Sequence, residues 1–128
     1  MSPEAYLEEI KSRLAEEGTI THYTITREQF TPLNAHIRVR LIFIDKSTLE
    51  FSEFIRANSQ ADIDIVTYSY HWMDEDNVLI SRWDNAEHYP DLPAFPYHQH
   101  DGDEKNIFPG EPMTLVKVLD IITTRLKD

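Results

Sequence analysis

The stretch Tyr68–Asp84, YSYHWMDEDNVLISRWD, decides the fold. Two runs of alternating side chains flank DEDN, a cluster of turn-forming residues, and that is the pattern of a β-hairpin. With Met73 set opposite Val78, the two-residue period of a strand puts Tyr68, Tyr70 and Trp72 on one face with Leu79, Ser81 and Trp83. Thr67, Ser69, His71, Ile80, Arg82 and Asp84 then share the other face, and a slip of one residue would exchange them. The four rings of the first face offer more burial area than anything else in the chain, so they read as core. The competing reading is an exposed platform for nucleobases, with Tyr70 as a binding residue.

Working outward, the chain reads as helix, antiparallel sheet, loop, helix, an α+β fold in one domain of 128 residues. Ser2 caps a first helix with Pro3 at its first position, Leu7, Ile10 and Leu14 form its apolar stripe, and Gly18 ends it. Strands are expected at about Ile20–Phe30, Ala35–Ile44, Thr48–Ile55, Ile63–Trp72 and Val78–Asn85, five in all, joined by short polar turns that make neighbours antiparallel. A proline-rich loop is expected over Glu87–Pro112. Leu115, Leu119, Ile122 and Leu126 then mark a closing helix, with Arg125 and Lys127 favouring its negative end.

Composition narrows the function. The chain has no cysteine, which excludes disulfides, thiolate metal sites and cysteine nucleophiles. No run reaches a membrane span and the acidic, amphipathic start is unlike a signal peptide, so the cytosol is the expected location. A net charge of −11 argues against general nucleic-acid binding. Five basic residues lie between Arg27 and Arg56 against four acidic ones, however, a local balance that suits an anion site.

Chemistry concentrates between Tyr68 and His100, which holds four of the six histidines and both tryptophans. On the polar face of the hairpin, His71, Arg82 and Asp84 are the candidate catalytic residues. His36, Arg38 and Arg40 join them if the polar faces of the strands coincide. Histidine moves protons near neutral pH and arginine holds a phosphate with two hydrogen bonds, so the set fits metal-independent cleavage of a ribose phosphodiester. The plain alternative is an ordinary Arg82–Asp84 pair on a solvated sheet face. His98 and His100 would point the same way from an extended backbone held by Pro93 and Pro96, with His88 nearby. With a carboxylate such as Asp101 or Asp103 they could hold zinc, but the spacing alone is a weak signal, and neither metal nor cofactor is expected.

These residues resemble the TumE-like toxins of prokaryotic toxin and antitoxin pairs. The likeness rests on Tyr68-Ser69-Tyr70-His71-Trp72, on Arg82-Trp83-Asp84-Asn85-Ala86 with His88 and Pro90, and on Pro93-Ala94-Phe95-Pro96-Tyr97-His98-Gln99-His100. The chain departs from the family pattern at Tyr89, Tyr97 and Gln99. The resemblance implies a growth-inhibiting cytosolic protein neutralised by a helix-turn-helix antitoxin. RNA cleavage follows by analogy with other small toxins. On that reading His71 transfers protons, Arg82 clamps phosphate and Asp84 orients one of them. Arg38, Arg40, Tyr70, Asn85, His88, His98 and His100 are the binding candidates, and a homodimer is one assembly the sequence admits. The rival classes are a non-enzymatic interaction protein, docking through the sheet face or an edge strand, and a small-ligand or metal-binding protein.

Overall fold

In the computed structural model, residues 1–86 and 95–126 are described. The elements run α1 (Pro3–Glu16), β1 (Ile20–Phe30), β2 (Asn34–Phe43), β3 (Thr48–Ala57), β4 (Ile63–Met73), β5 (Leu79–Asp84), β6 (His98–Asp101), β7 (Ile107–Pro109) and α2 (Leu115–Leu126). The strands form a single antiparallel meander in chain order. Seven strands replace the expected five, because β6 and β7 lie inside the stretch read as a loop. Their brevity is one reason they escape pattern reading. The other is that β6 buries His98 and His100 instead of apolar residues, so it lacks the usual alternation.

The local signals for the helices hold. The Ser2 hydroxyl accepts the Ala5 N–H at 3.0 Å and Pro3 occupies the first turn. At α2 the Thr114 hydroxyl accepts the Lys117 N–H at 3.2 Å, and the Arg125 guanidinium lies 4.9 Å from the centre of the Trp72 ring.

Both helices pack on one side of the sheet. Leu7, Ile10 and Leu14 of α1 and Leu115, Val118, Leu119 and Ile122 of α2 share a core with Ile37, Val39 and Leu41 of β2, Leu49, Phe51 and Ile55 of β3, and Tyr68, Tyr70, Trp72 and Trp83. The hairpin rings are therefore core: Tyr70 is 0% exposed and Trp72 and Trp83 are 3% exposed.

The hairpin turn is built on Asp74, whose carboxylate accepts the N–H groups of Asp76 at 2.8 Å and Val78 at 3.0 Å, while Asn77 takes a φ of 63° that asparagine tolerates. Met73 pairs with Leu79, not with Val78, and one extra residue, Ile80, bulges from β5 before Trp72 pairs with Ser81. The two displacements add to two residues, so Ser81, Arg82, Trp83 and Asp84 keep their expected faces, whereas Leu79, expected beside the rings, pairs with Met73 on the other face. Ile80, expected on the polar face, packs against the core.

Candidate functional site

Cross-strand register assembles the polar face of the sheet. One row runs Arg40, Glu50, His71, Arg82, His100 across β2 to β6, each residue directly opposite the next. The adjacent row runs Arg38, Ser52, Ser69, Asp84, His98. Residues opposite each other on one face stand about 5 Å apart at Cβ, so these side chains are neighbours. His36 follows in a third row, with Phe54 and Thr67. Arg27 pairs with Arg38 from β1, so the cationic residues concentrate on this face although the whole chain is acidic.

His71 and Arg82 form the centre. His71 is half-buried, and burial, followed by the Arg82 cation, holds its imidazole below the ordinary histidine range despite the opposing influence of Glu104 and Glu50. Its resting form near neutral pH is therefore the neutral ring that can accept a proton. Arg82 is about one third exposed, with Nη1 3.4 Å from Glu104 Oε1 and Nε 3.2 Å from Asp84 Oδ2. Among the described residues, no acceptor is aligned with its buried Nε–H.

Asp84, His98 and His100 form the wall beside this pair, with side chains only 3 to 5% exposed. His98 Nε2 lies 2.6 Å from Asp84 Oδ1, and His100 Nε2 lies 3.6 Å from Oδ2. The two rings meet edge to face at 5.1 Å. Each Nδ1 contacts a backbone carbonyl: Pro96 O at 3.0 Å for His98 and Glu104 O at 2.8 Å for His100. The two histidines do point the same way, but the carboxylate they meet is Asp84, not Asp101 or Asp103. Asp101 is occupied by the Ser81 hydroxyl and the Gln99 amide, both at 2.8 Å, and Asp103 accepts the Lys105 N–H within its own turn.

The remaining candidates separate. Arg38 and Arg40 lie on the polar face, where Arg40 is ion-paired to Glu50. Tyr70 does not: it is wholly buried on the helix side, and its hydroxyl donates to Glu53 at 2.7 Å, so it cannot meet a ligand at the surface. Asn85 serves the fold. Its side chain accepts the Tyr68 N–H at 2.9 Å and donates to Val66 O at 3.0 Å, completing the ladder where Val66 bulges from β4. His88 lies outside the described residues, as do Tyr89 and Pro93.

Glu53 was not among the candidates. It is 0% exposed in the core, and its carboxylate accepts the hydroxyls of Tyr6 and Tyr70. Alternation along Leu49, Phe51, Glu53, Ile55 was the available signal. A cavity of about 860 Å³ is a groove between α1, Ile63 and Ile65 of β4 and the start of α2. It lies on the helix side, and neither His71 nor Arg82 lines it.

No curated protein and no solved structure is detectably similar to the chain. Residues 9–126, by contrast, match the family described as Toxin TumE, from within α1 through the whole sheet to the end of α2. The chain belongs to the TumE toxin family.

Proposed function

We propose that the protein is the growth-inhibiting member of a toxin and antitoxin pair, acting in the cytosol on RNA, with His71 and Arg82 as its reacting side chains. The observation that carries this reading is the direct pairing of His71 with Arg82 on the sheet face opposite the helices. A neutral imidazole beside a permanent cation is suited to phosphodiester cleavage in which the ribose attacks its own phosphate. His71 takes the proton of the 2′ hydroxyl as that oxygen bonds to phosphorus. Arg82 holds the non-bridging oxygens where charge accumulates. The bond from phosphorus to the 5′ oxygen breaks, the leaving oxygen takes a proton from water, and the hydroxide so formed takes back the proton held by His71. The products are a 2′,3′-cyclic phosphate and a 5′ hydroxyl. The nucleophile comes from the substrate, so no metal ion is needed to activate water.

Asp84 is a positioning residue in this scheme, fixing the guanidinium from Oδ2. Arg38 and Arg40 extend the anion-binding surface along the backbone of the strand being cleaved. The family supports a dedicated antitoxin as partner, and a helix-turn-helix protein encoded beside the toxin is the form proposed.

Expression in bacteria with and without the chromosomal neighbour tests the reading. Growth arrest relieved by the neighbour is expected, with cyclic-phosphate ends appearing in cellular RNA. His71→Ala and Arg82→Ala should each abolish arrest while keeping a native far-ultraviolet spectrum. If both folded variants still arrest growth, the assigned pair is wrong.

A further inference from the structure

We infer that Asp84, His98 and His100 form a site for a divalent transition-metal ion of the zinc class, joining β5 to β6 beside Arg82. The inference goes beyond the proposed reaction, which places no metal at the reacting atoms.

The tautomers carry the argument. A carbonyl oxygen can only accept, so the contacts of His98 Nδ1 with Pro96 O and of His100 Nδ1 with Glu104 O place a hydrogen on each Nδ1. In a neutral ring the opposite nitrogen, Nε2, then presents a lone pair. Both Nε2 atoms face the carboxylate of Asp84, whose oxygens are acceptors too. Three electron-rich groups thus converge, with their ligand atoms all within 4.8 Å of one another. A divalent cation placed between them would be held by all three.

The surroundings favour the ion. Imidazole ligands of metals commonly donate the other ring N–H to a backbone carbonyl, which fixes ring orientation and raises ligand basicity. Both histidines have that support here. The side chains are almost wholly buried, so their ligand atoms compete little with water for an ion. Local charge also admits a cation: Asp84 and Glu104 are two carboxylates, balanced in part by the single guanidinium of Arg82. Two nitrogens and one carboxylate oxygen suit zinc and its neighbours in the transition series, whereas magnesium and calcium require oxygen ligands throughout. Three protein ligands leave a fourth position in a tetrahedral site.

Pairing explains the placement. Asp84 is opposite His98, and His100 stands two residues further along β6, opposite Arg82, so an ion held by Asp84, His98 and His100 would tie the short β6 to the end of β5. It would also fix the Asp84 carboxylate that lies against Arg82.

The test uses the full chain, stripped with a chelator and dialysed, then titrated calorimetrically with zinc chloride, and in parallel with magnesium and calcium chloride. One zinc per chain is expected, a rise in Tm of several degrees with zinc alone, and no saturable binding of the two hard ions. His98→Gln and His100→Gln should each weaken zinc binding by at least about 100-fold, the upper end of what loss of an outer-shell partner costs. His22→Gln and His36→Gln should leave it unchanged. Cobalt in place of zinc should give the visible absorption of a tetrahedral site, which reports ligand geometry even if a variant folds poorly. Absence of stoichiometric zinc binding by the folded chain overturns the inference. So does binding that survives in the His98→Gln/His100→Gln double variant. Neither result bears on the role of His71, which growth arrest measures separately.

Discussion

Replacing Tyr70 by phenylalanine removes one oxygen atom from the centre of the core, and its effect should depend on what stands at position 53. Glu53 is fully buried, accepting the Tyr6 hydroxyl at one carboxylate oxygen and the Tyr70 hydroxyl at the other, the latter at 2.7 Å. Burial raises its pKa and the two donors oppose that rise, so the hydroxyls are what make a carboxylate tolerable there. Without the Tyr70 hydroxyl, one oxygen of a buried acid faces apolar neighbours. Losing a hydrogen bond to a charged group costs about 1.5–3 kcal/mol, which for a domain of this size lowers Tm by something on the order of 5 to 15 °C. Glu53→Gln keeps the shape and offers one acceptor and one donor to the two tyrosine oxygens. In that background Tyr70→Phe removes a neutral bond worth about 1 kcal/mol. The double-mutant cycle should therefore show a coupling of about 1 kcal/mol by urea unfolding on the alkaline side of the Glu53 titration, where the group is ionised.

The pH dependence has a definite sign. A carboxyl group whose folded pKa is raised binds its proton more tightly in the folded chain. Its contribution to stability is full below the ordinary value of 4.5 and is lost as pH rises through the raised value. Glu53→Gln has no such loss, so it should gain stability relative to the parent as pH climbs from 4.5. Other titrating groups cancel in that difference. A flat difference between parent and Glu53→Gln, or an equal cost of Tyr70→Phe in both backgrounds, would refute the account of Glu53 as a buried acid held by two tyrosines.

Two further outcomes follow from the geometry. Burial and the Arg82 cation lower the His71 pKa, while Glu104 and Glu50 act the other way; RNA cleavage with neutral His71 as base, as proposed, should keep its rate down to pH 6.5 and fall only on the acid side. Arg82→Gln, measured on its residual activity, should move that acid limb upward, and a parent limb already centred at or above 6.5 would contradict the assignment. Asn85→Ala leaves the Tyr68 N–H and the Val66 carbonyl without their side-chain partner, so it should cost about 1–3 kcal/mol in denaturant unfolding. Asn85→Asp, which sets a carboxylate against the Val66 carbonyl, should cost more.

The helix side of this protein was legible because alternation is a local property. In β2 and β3 the apolar residues recur every second position, and their partners across the sheet follow from short turns. β6 was not legible, since its inward residues are imidazoles and its stability comes from Asp84 and from carbonyls at Pro96 and Glu104, contacts that no window of sequence displays. Nearness in sequence misled at the third carboxylate. Asp101 follows His100 directly, and for that reason it points to the opposite face, whereas Asp84 reaches the histidines by register.

Register is also where the polar face was most at risk. With Met73 opposite Leu79 and no further adjustment, Trp72 would meet Ile80, His71 would meet Ser81, and Arg82 would fall opposite Tyr70, turned toward the helices. The extra residue at Ile80 restores the phase: Trp72 meets Ser81 on the core side and His71 meets Arg82 on the other. The bulged backbone is itself supported, its carbonyl accepting the Gly102 N–H at 3.0 Å from the turn after β6. A bulge in β5, held from the turn that follows β6, thus determines that imidazole and guanidinium emerge together. The site is therefore a consequence of long-range pairing, and a change in that turn can disturb the His71–Arg82 pair without altering either side chain.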